Sequence, residues 1–241
     1  IKSVAFSEDG KQVVTGDDSQ QVRLWSVESG KELDTLAGHT GAISAVAYTT
    51  RTTVASGSAD KSILIQSIQP VWSLIAQLGA DPKDPSKVGD SPISNRALCL
   101  DFSPDGKLLA VGGGDPSRSG EVILFDVASG NVVKKLGDAH SDTVLGIRFS
   151  RSGKQLLTGA ADKFVKIFDV SSGKFVKSFE GHTHHVLDVA WKADESTIVS
   201  AGADNVIKVW NIETGEQKRT ISGYSKQVTS IAFMGLGDNI I

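Results

Sequence analysis

Along residues 174–211, short runs of alternating apolar and polar residues are broken by turn formers. Residues 174–180 form one run, and Gly181-His182-Thr183 turns the chain. Residues 185–192 then alternate through Val186, Val189 and Trp191. Ala193-Asp194-Glu195 turns it again, 196–202 follows, Ala203-Asp204 makes a tight turn, and 205–211 ends the unit. Period-two runs of β-branched and apolar residues between Gly, Asp and Ser turns predict an antiparallel meander. Helical spacing is absent throughout.

The pattern recurs. His140, His182 and Tyr224 carry rings at a spacing of about 42 residues, the cadence of a blade repeat. Apolar runs end at Trp25, Gln66, Phe125, Phe168 and Trp210, with one interval longer by roughly 17 residues. This predicts an all-β fold, a β-propeller of four-stranded antiparallel blades, with about five complete blades and part of a sixth. The inner three strands of each blade fall at 1–27, 42–68, 95–127, 141–170 and 185–211. The fourth strands lie near 31–37, 71–79, 131–137, 174–180 and 216–222, and a sixth blade opens at 226–234. A sheet ring must close or leave raw strand edges. The chain is therefore read as one propeller module, 1–241, from a longer protein of seven or more blades.

The turns agree with this reading. Ser7-Glu8-Asp9-Gly10, Ser103-Pro104-Asp105-Gly106 and Ser150-Arg151-Ser152-Gly153 each end on a glycine suited to positive φ in a hairpin.

Composition adds bounds. The chain has 241 residues, 39% hydrophobic and 22% charged, as in an ordinary soluble globular protein. A net charge of −3 gives no basic footprint for nucleic acid. Residues 141–180 hold a local excess of Lys and Arg, read as a solvated surface. Cys99 is the single cysteine, which rules out an intrachain disulfide and a thiolate metal cluster. It fits a reducing compartment without excluding an oxidising one. No apolar run is long enough to span a bilayer, so membrane insertion is not expected. The chain begins at Ile1, so it is silent about any targeting segment upstream.

The motifs resemble the WD-repeat β-propeller family. Gly-His-Thr stands at 38–40 and 181–183, Ser-Pro-Asp-Gly at 103–106, Ser-Ala-Asp at 58–60 and Gly-Ala-Asp at 202–204. Leu24-Trp25 and Val209-Trp210 supply the tryptophan. The resemblance implies a buried network in each blade: a turn His, a Ser or Thr on the second strand, a tight-turn Asp and the Trp. His182, Ser200, Asp204 and Trp210 make the one complete set. His140, Thr158 and Asp162 face Phe168, and His39, Ser56 and Asp60 face Gln66. Thr15 and Trp25 go with Ser19 where Asp is expected, with Asp18 adjacent. The third blade has neither His nor a clear Asp. Uneven blade stability follows, with the blade ending at Trp210 the most rigid. The run 181–220 is also similar to propeller segments of large bacterial proteins, some with c-type cytochrome domains. That likeness makes a periplasmic setting an alternative to a cytoplasmic one, although no Cys-x-x-Cys-His haem signature is present.

The candidate chemistry thins out on inspection. His39, His140 and His182 recur with the blade period, as do Asp60, Asp162 and Asp204. Periodic residues serve a repeat, whereas a catalytic residue occurs once, and no Gly-x-Ser-x-Gly elbow is present. No catalytic residue is assigned. His182, His184 and His185 cluster, but without carboxylates at ligand spacing they are not read as a metal site. Gly112-Gly113-Gly114 lacks a following Lys-Ser/Thr and helix, so it reads as a strand leading into a flexible loop rather than a phosphate cradle. Cys99 reads as a packed, inert thiol. No cofactor is expected.

Function is expected where periodicity fails. Residues 80–94 replace a His turn, and 115–120 enlarge the turn between the second and third strands of the same blade. In a four-stranded meander both connections belong to the His-turn side. Lys83, Lys87, Arg96, Arg118 and His184 are the candidate contacts for a protein or peptide partner. The competing reading is two solvated loops with little closure cost. The leading function is a non-enzymatic scaffold. The alternative is an accessory module of a bacterial redox or hydrolytic protein whose chemistry lies elsewhere.

Overall fold

Each predicted meander forms one four-stranded antiparallel sheet. A computed structural model describes residues 1–50, 52–68, 74–79, 89, 91–233 and 240. The first blade comprises β1 (Ser3–Phe6), β2 (Gln12–Gly16), β3 (Val22–Ser26) and β4 (Glu32–Leu36). The second has β5 (Ile43–Thr50), β6 (Thr53–Ser58), β7 (Ser62–Ser67) and β8 (Leu74–Gly79). The third has β9 (Ala97–Phe102), β10 (Leu108–Asp115), β11 (Ser119–Asp126) and β12 (Val132–His140). The fourth holds β13 (Val144–Phe149), β14 (Gln155–Ala160), β15 (Val165–Asp169) and β16 (Phe175–Phe179). The fifth holds β17 (Val186–Trp191), β18 (Thr197–Gly202), β19 (Ile207–Asn211) and β20 (Gln217–Ile221). No α-helix occurs among the described residues.

The chain divides into two compact units. One comprises residues 1–102, 106–113 and 123–133; the other comprises 103–105, 114–122 and 134–241. In each, the core lies between consecutive sheets, because alternation gives each inner strand an apolar face to cover. In the first unit, Val14, Val22 and Leu24 pack on Ile43, Val46 and Val54 of the next blade. In the second, Leu157, Val165, Ile167 and Phe179 pack on Val186, Val189, Ile198 and Trp210. Close approach requires a small residue at the end of the second strand. A Cβ added to Gly159 would lie 2.6 Å from Val186 Cγ1 and 2.8 Å from Val189 Cγ1.

Three expectations need correction. Gly112, Gly113 and Gly114 do not lead into a flexible loop; they are buried inside β10. The insertion at 115–120 is not an enlarged loop either. β10 and β11 each extend to eight residues, leaving 116–118 as the turn, because added residues with ladder partners prolong a hairpin.

Residues 226–233, expected to open a sixth blade with a strand, carry no strand pairing apart from an isolated Phe233–Ile240 bridge. They nonetheless occupy a first strand's place. Val228 N–H donates to Gly202 O, at the end of β18, at 3.2 Å. Ile231 is buried against Ala190, Val199, Ala201 and Ile207. Most of the 80–94 insertion, with Lys83 and Lys87, lies outside the described residues.

Candidate functional site

The fifth blade assembles His182, Ser200, Asp204 and Trp210 into one chain of hydrogen bonds. His182 precedes β17, Ser200 lies mid-β18, Asp204 sits in the β18–β19 turn and Trp210 on β19. His182 Nδ1 is 2.9 Å from Asp204 Oδ2, and its Nε2 is 2.7 Å from Ser200 Oγ. The indole N–H of Trp210 donates to Ser200 Oγ at 2.9 Å. Asp204 also accepts the Thr183 N–H at 2.9 Å. Every donor is satisfied when Nδ1 carries the imidazole proton and the Ser200 hydroxyl donates to Nε2. Burial holds the His182 imidazole below its usual value against the pull of Asp204. Burial acts to raise the Asp204 carboxyl, but the Thr183 N–H and His182 leave it below the usual carboxylate range.

The fourth blade repeats the frame. His140 Nδ1 is 3.0 Å from both oxygens of Asp162, and its Nε2 is 2.8 Å from Thr158 Oγ1. Asp162 gathers the N–H groups of Ser141 and Phe164. Phe168 stands 6.5 Å from the His140 ring, edge-on. In the second blade, His39 Nδ1 meets Asp60 Oδ2 at 2.9 Å and its Nε2 meets Ser56 Oγ at 3.0 Å. Gln66 takes no part in that network and donates to Ala37 O. Ser62 adds a hydroxyl bond to Asp60 Oδ1 at 2.6 Å. Burial opposes ionisation of Asp60, yet hydrogen bonds with His39, Ser62 and Thr40 together hold its carboxyl far below the usual carboxylate range.

Two turns differ from expectation. In the first blade, Trp25 N–H donates to Thr15 Oγ1 at 2.9 Å, but the acid that organises the turn is Asp17, which accepts the Ser19 N–H and hydroxyl. Asp18 points elsewhere, to Lys2 at 3.6 Å on the surface. In the third blade, Asp115 holds the tight-turn position, at the same offset from Gly106 as Asp162 from Gly153. It pairs with Arg118 at 3.1 Å.

His182, Ser200 and Asp204 have the contact distances of a hydrolytic triad, yet Ser200 is fully buried and its oxygen already accepts the indole N–H. A substrate carbonyl has no route to it. Among the described residues, no group of three or more His, Cys, Asp or Glu is arranged to hold a metal. His184 is exposed, with its ring accepting the His185 N–H at 2.9 Å and lying 4.4 Å from the His185 ring. Arg118 is 80% exposed on a hairpin braced by Ser117 N–H to Asp142 Oδ1 at 2.8 Å. Arg96 is half-buried at the foot of β9, and Cys99 is buried on it.

Asp188 was missed from the sequence. Buried on β17, it meets Arg148 Nη2 at 3.2 Å and accepts the Ser230 hydroxyl and the Ile231 N–H, each at 3.0 Å. Its signal is an acid in a position that Gly146 and Ala45 occupy in other first strands.

A model of the WD domain, G-beta repeat, matches residues 1–26, 30–65, 90–126, 130–169 and 173–211. Periodic tryptophan protein 2 homolog of Schizosaccharomyces pombe is 28% identical over 198 residues, 73% of this chain and 21% of that protein. WD repeat-containing protein 1 of Gallus gallus is 29% identical over 187 residues, 74% of this chain and 28% of that protein. WD repeat-containing protein VIP3 of Arabidopsis thaliana is 27% identical over 182 residues, 70% of this chain and 52% of that protein. The chain thus spans between about a fifth and a half of the length of these relatives. All three are eukaryotic and lend no support to the bacterial likeness or to the accessory role built on it. With five repeat matches set on five four-stranded sheets, the chain belongs to the WD-repeat family.

Proposed function

We propose that residues 1–241 act as a non-enzymatic interaction module that binds a protein or peptide through the His-turn side, with Lys83, Lys87, Arg96, Arg118 and His184 as contacts. The observation that carries this reading is Arg118: an exposed guanidinium on a hairpin tied to Asp142. A cation held by a short, braced turn loses little entropy when a partner arrives, which favours it as an anchor. The absence of turnover is inferred from the histidines in contact with carboxylates. His39, His140 and His182 each spend both ring nitrogens within their own blade. Neither a nucleic-acid partner nor membrane insertion is part of the reading. The net charge is −3, and no helix among the described residues is long and apolar enough to cross a membrane.

The test places a photo-crosslinking side chain at 184, and at Val132 as a control. A partner captured from 184, and lost in Arg118→Glu and on deleting 80–94, is the expected result. Retention of that partner by both variants ends the proposal.

A further inference from the structure

The fourth blade carries a groove of about 450 Å³ lined by Ser141, Asp162, Phe164, Lys166, Phe175 and Ser178. It opens beside the His140 turn, between the β14–β15 turn and the outer strand β16. Two aromatic rings give it an apolar floor. Phe175 is 56% exposed and rests edge-on against Phe168 at 6.1 Å, so the ring is fixed in place while its outer face meets water. Phe164 lies under the Lys166 ammonium, 5.9 Å from ring centroid to Nζ.

The lining holds one cation, Lys166, and one acid. Asp162 is the one acid in the lining, but its side chain is 5% exposed. Its oxygens are turned inward to His140, Ser141 N–H and Phe164 N–H. Lys166 donates to Ala139 O at 2.9 Å, and an ammonium has two further hydrogens beyond that bond. Lys163 and Lys174, next in sequence to the lining residues Phe164 and Phe175, are exposed, and so is one acid, Glu180, two residues beyond Ser178. An apolar floor beside the Lys166 ammonium, with Asp162 turned inward, suits a ligand that brings one ring or branched chain together with a carboxylate.

We infer that this groove docks an acidic peptide segment containing one aromatic or large aliphatic residue. That residue lies on Phe164 and Phe175, and the flanking carboxylates face Lys166, Lys163 and Lys174. Ser141 and Ser178 offer hydroxyls to the peptide backbone. An RNA strand would meet the same lysines, and the titration below separates it from a peptide. The site is independent of 80–94 and of Arg118.

The test is a titration of the isotope-labelled chain with acetylated Glu-Asp-Phe-Asp-Glu, read from amide shifts. Shifts are expected at Ser141, Phe164, Lys166 and Phe175, with a dissociation constant of about 1 mM or tighter, weakening as salt is added. Lys166→Glu is expected to weaken binding at least about tenfold. Phe175→Ser, at an exposed position, is expected to erase the preference over a Gly-centred probe while leaving the spectrum folded. A Lys-flanked probe binding equally well overturns the proposal. So does an absence of groove shifts at about 10 mM probe. An oligouridine that shifts the same amides at lower concentration assigns the groove to RNA and overturns it as well. Arg118→Glu should titrate like the parent chain. If the probe fails while Arg118→Glu still loses its cross-linked partner, the groove falls and the His-turn reading stands.

Discussion

The fourth and fifth blades share a His–hydroxyl–Asp frame and differ in what completes it. In the fifth, the indole of Trp210 donates to Ser200, so the serine proton is directed at His182. In the fourth, Phe168 has no donor, and the Thr158 hydroxyl lies 2.8 Å from His140 and 3.2 Å from Lys166 O, with one proton for two acceptors. The two rings occupy the same ladder position, Phe168 opposite Leu156 and Trp210 opposite Ile198. Their burial is also alike, at 5% and 2% exposed. Apolar packing and the polar handle are therefore separable. Both blades need the ring, and one of them also uses its N–H.

The largest expected effect lies in the shared part. Asp204→Ala strips an imidazole N–H and the Thr183 N–H of their acceptor, and Asp162→Ala an imidazole N–H and the N–H groups of Ser141 and Phe164. An orphaned buried donor costs about 1–3 kcal/mol. Each substitution is therefore expected to lower stability by about 3 kcal/mol, read as a lower urea midpoint at unchanged slope. A cost at one site and none at the other would break the equivalence of the two frames.

Acid should strain both blades together. The His140 and His182 imidazoles are held below their usual 6.5, chiefly by burial. The unfolded chain takes up those protons first, so stability is full above about pH 6.5 and declines below it. The Asp162 and Asp204 carboxyls sit below their usual 3.8, burial notwithstanding, because their hydrogen bonds favour the charged form. Their contribution is present above that value and is lost as pH falls through the lowered range. The urea midpoint is expected to drop between about pH 7.5 and about pH 5, and to fall further near pH 3. A midpoint that rises on the way to pH 5 would contradict the neutral assignment of both rings.

Most of the fold was legible because a repeat states its pattern five times. Alternation placed the strands, and the His turns (Gly38-His39, Ala139-His140, Gly181-His182) with the Ala-Asp turns placed the network in the second, fourth and fifth blades. Legibility failed where one residue substitutes for another by geometry rather than type. Asp17 serves the first blade's turn from a neighbouring position, because a side-chain oxygen can reach an N–H two residues on. Asp115 kept its place while its partner became an arginine. The hairpin at 115–120 looked like a loop because Gly and Pro are read as breakers, and cross-strand pairing outweighed them. Asp188 was hidden because its partners Arg148, Ser230 and Ile231 are distant in sequence.

A smaller effect isolates the handle. Trp210→Phe keeps an aromatic ring against Phe179, which lies 5.7 Å away, and removes one hydrogen bond. The expected loss is about 1 kcal/mol, together with faster amide exchange in β18 and β19. Stability differences among blades are proposed to follow this handle, with the fifth blade the slowest to exchange. A loss well above that figure would mean that indole volume, rather than its N–H, distinguishes the blades.

The smallest contrast lies in the tight turns. Lys163 and Asn205 follow the networked acids with φ of 75° and 63°. Both backbone N–H groups close the turn, to Ala160 O at 3.1 Å and Gly202 O at 3.3 Å. Asn tolerates the left-handed region because its short polar side chain can bond locally, whereas a Lys carries the full Cβ penalty. Lys163→Asn should therefore stabilise the fourth blade by a few tenths of a kcal/mol, and Asn205→Lys should cost the fifth about the same. Lys163 is exposed and Asn205 half-buried in its turn, so the midpoint of Lys163→Asn reports backbone strain the more directly. Opposite shifts of similar size would place the remaining difference between the blades in the turns. Two losses would show instead that the Lys163 side chain has a favourable contact of its own at the margin of the groove.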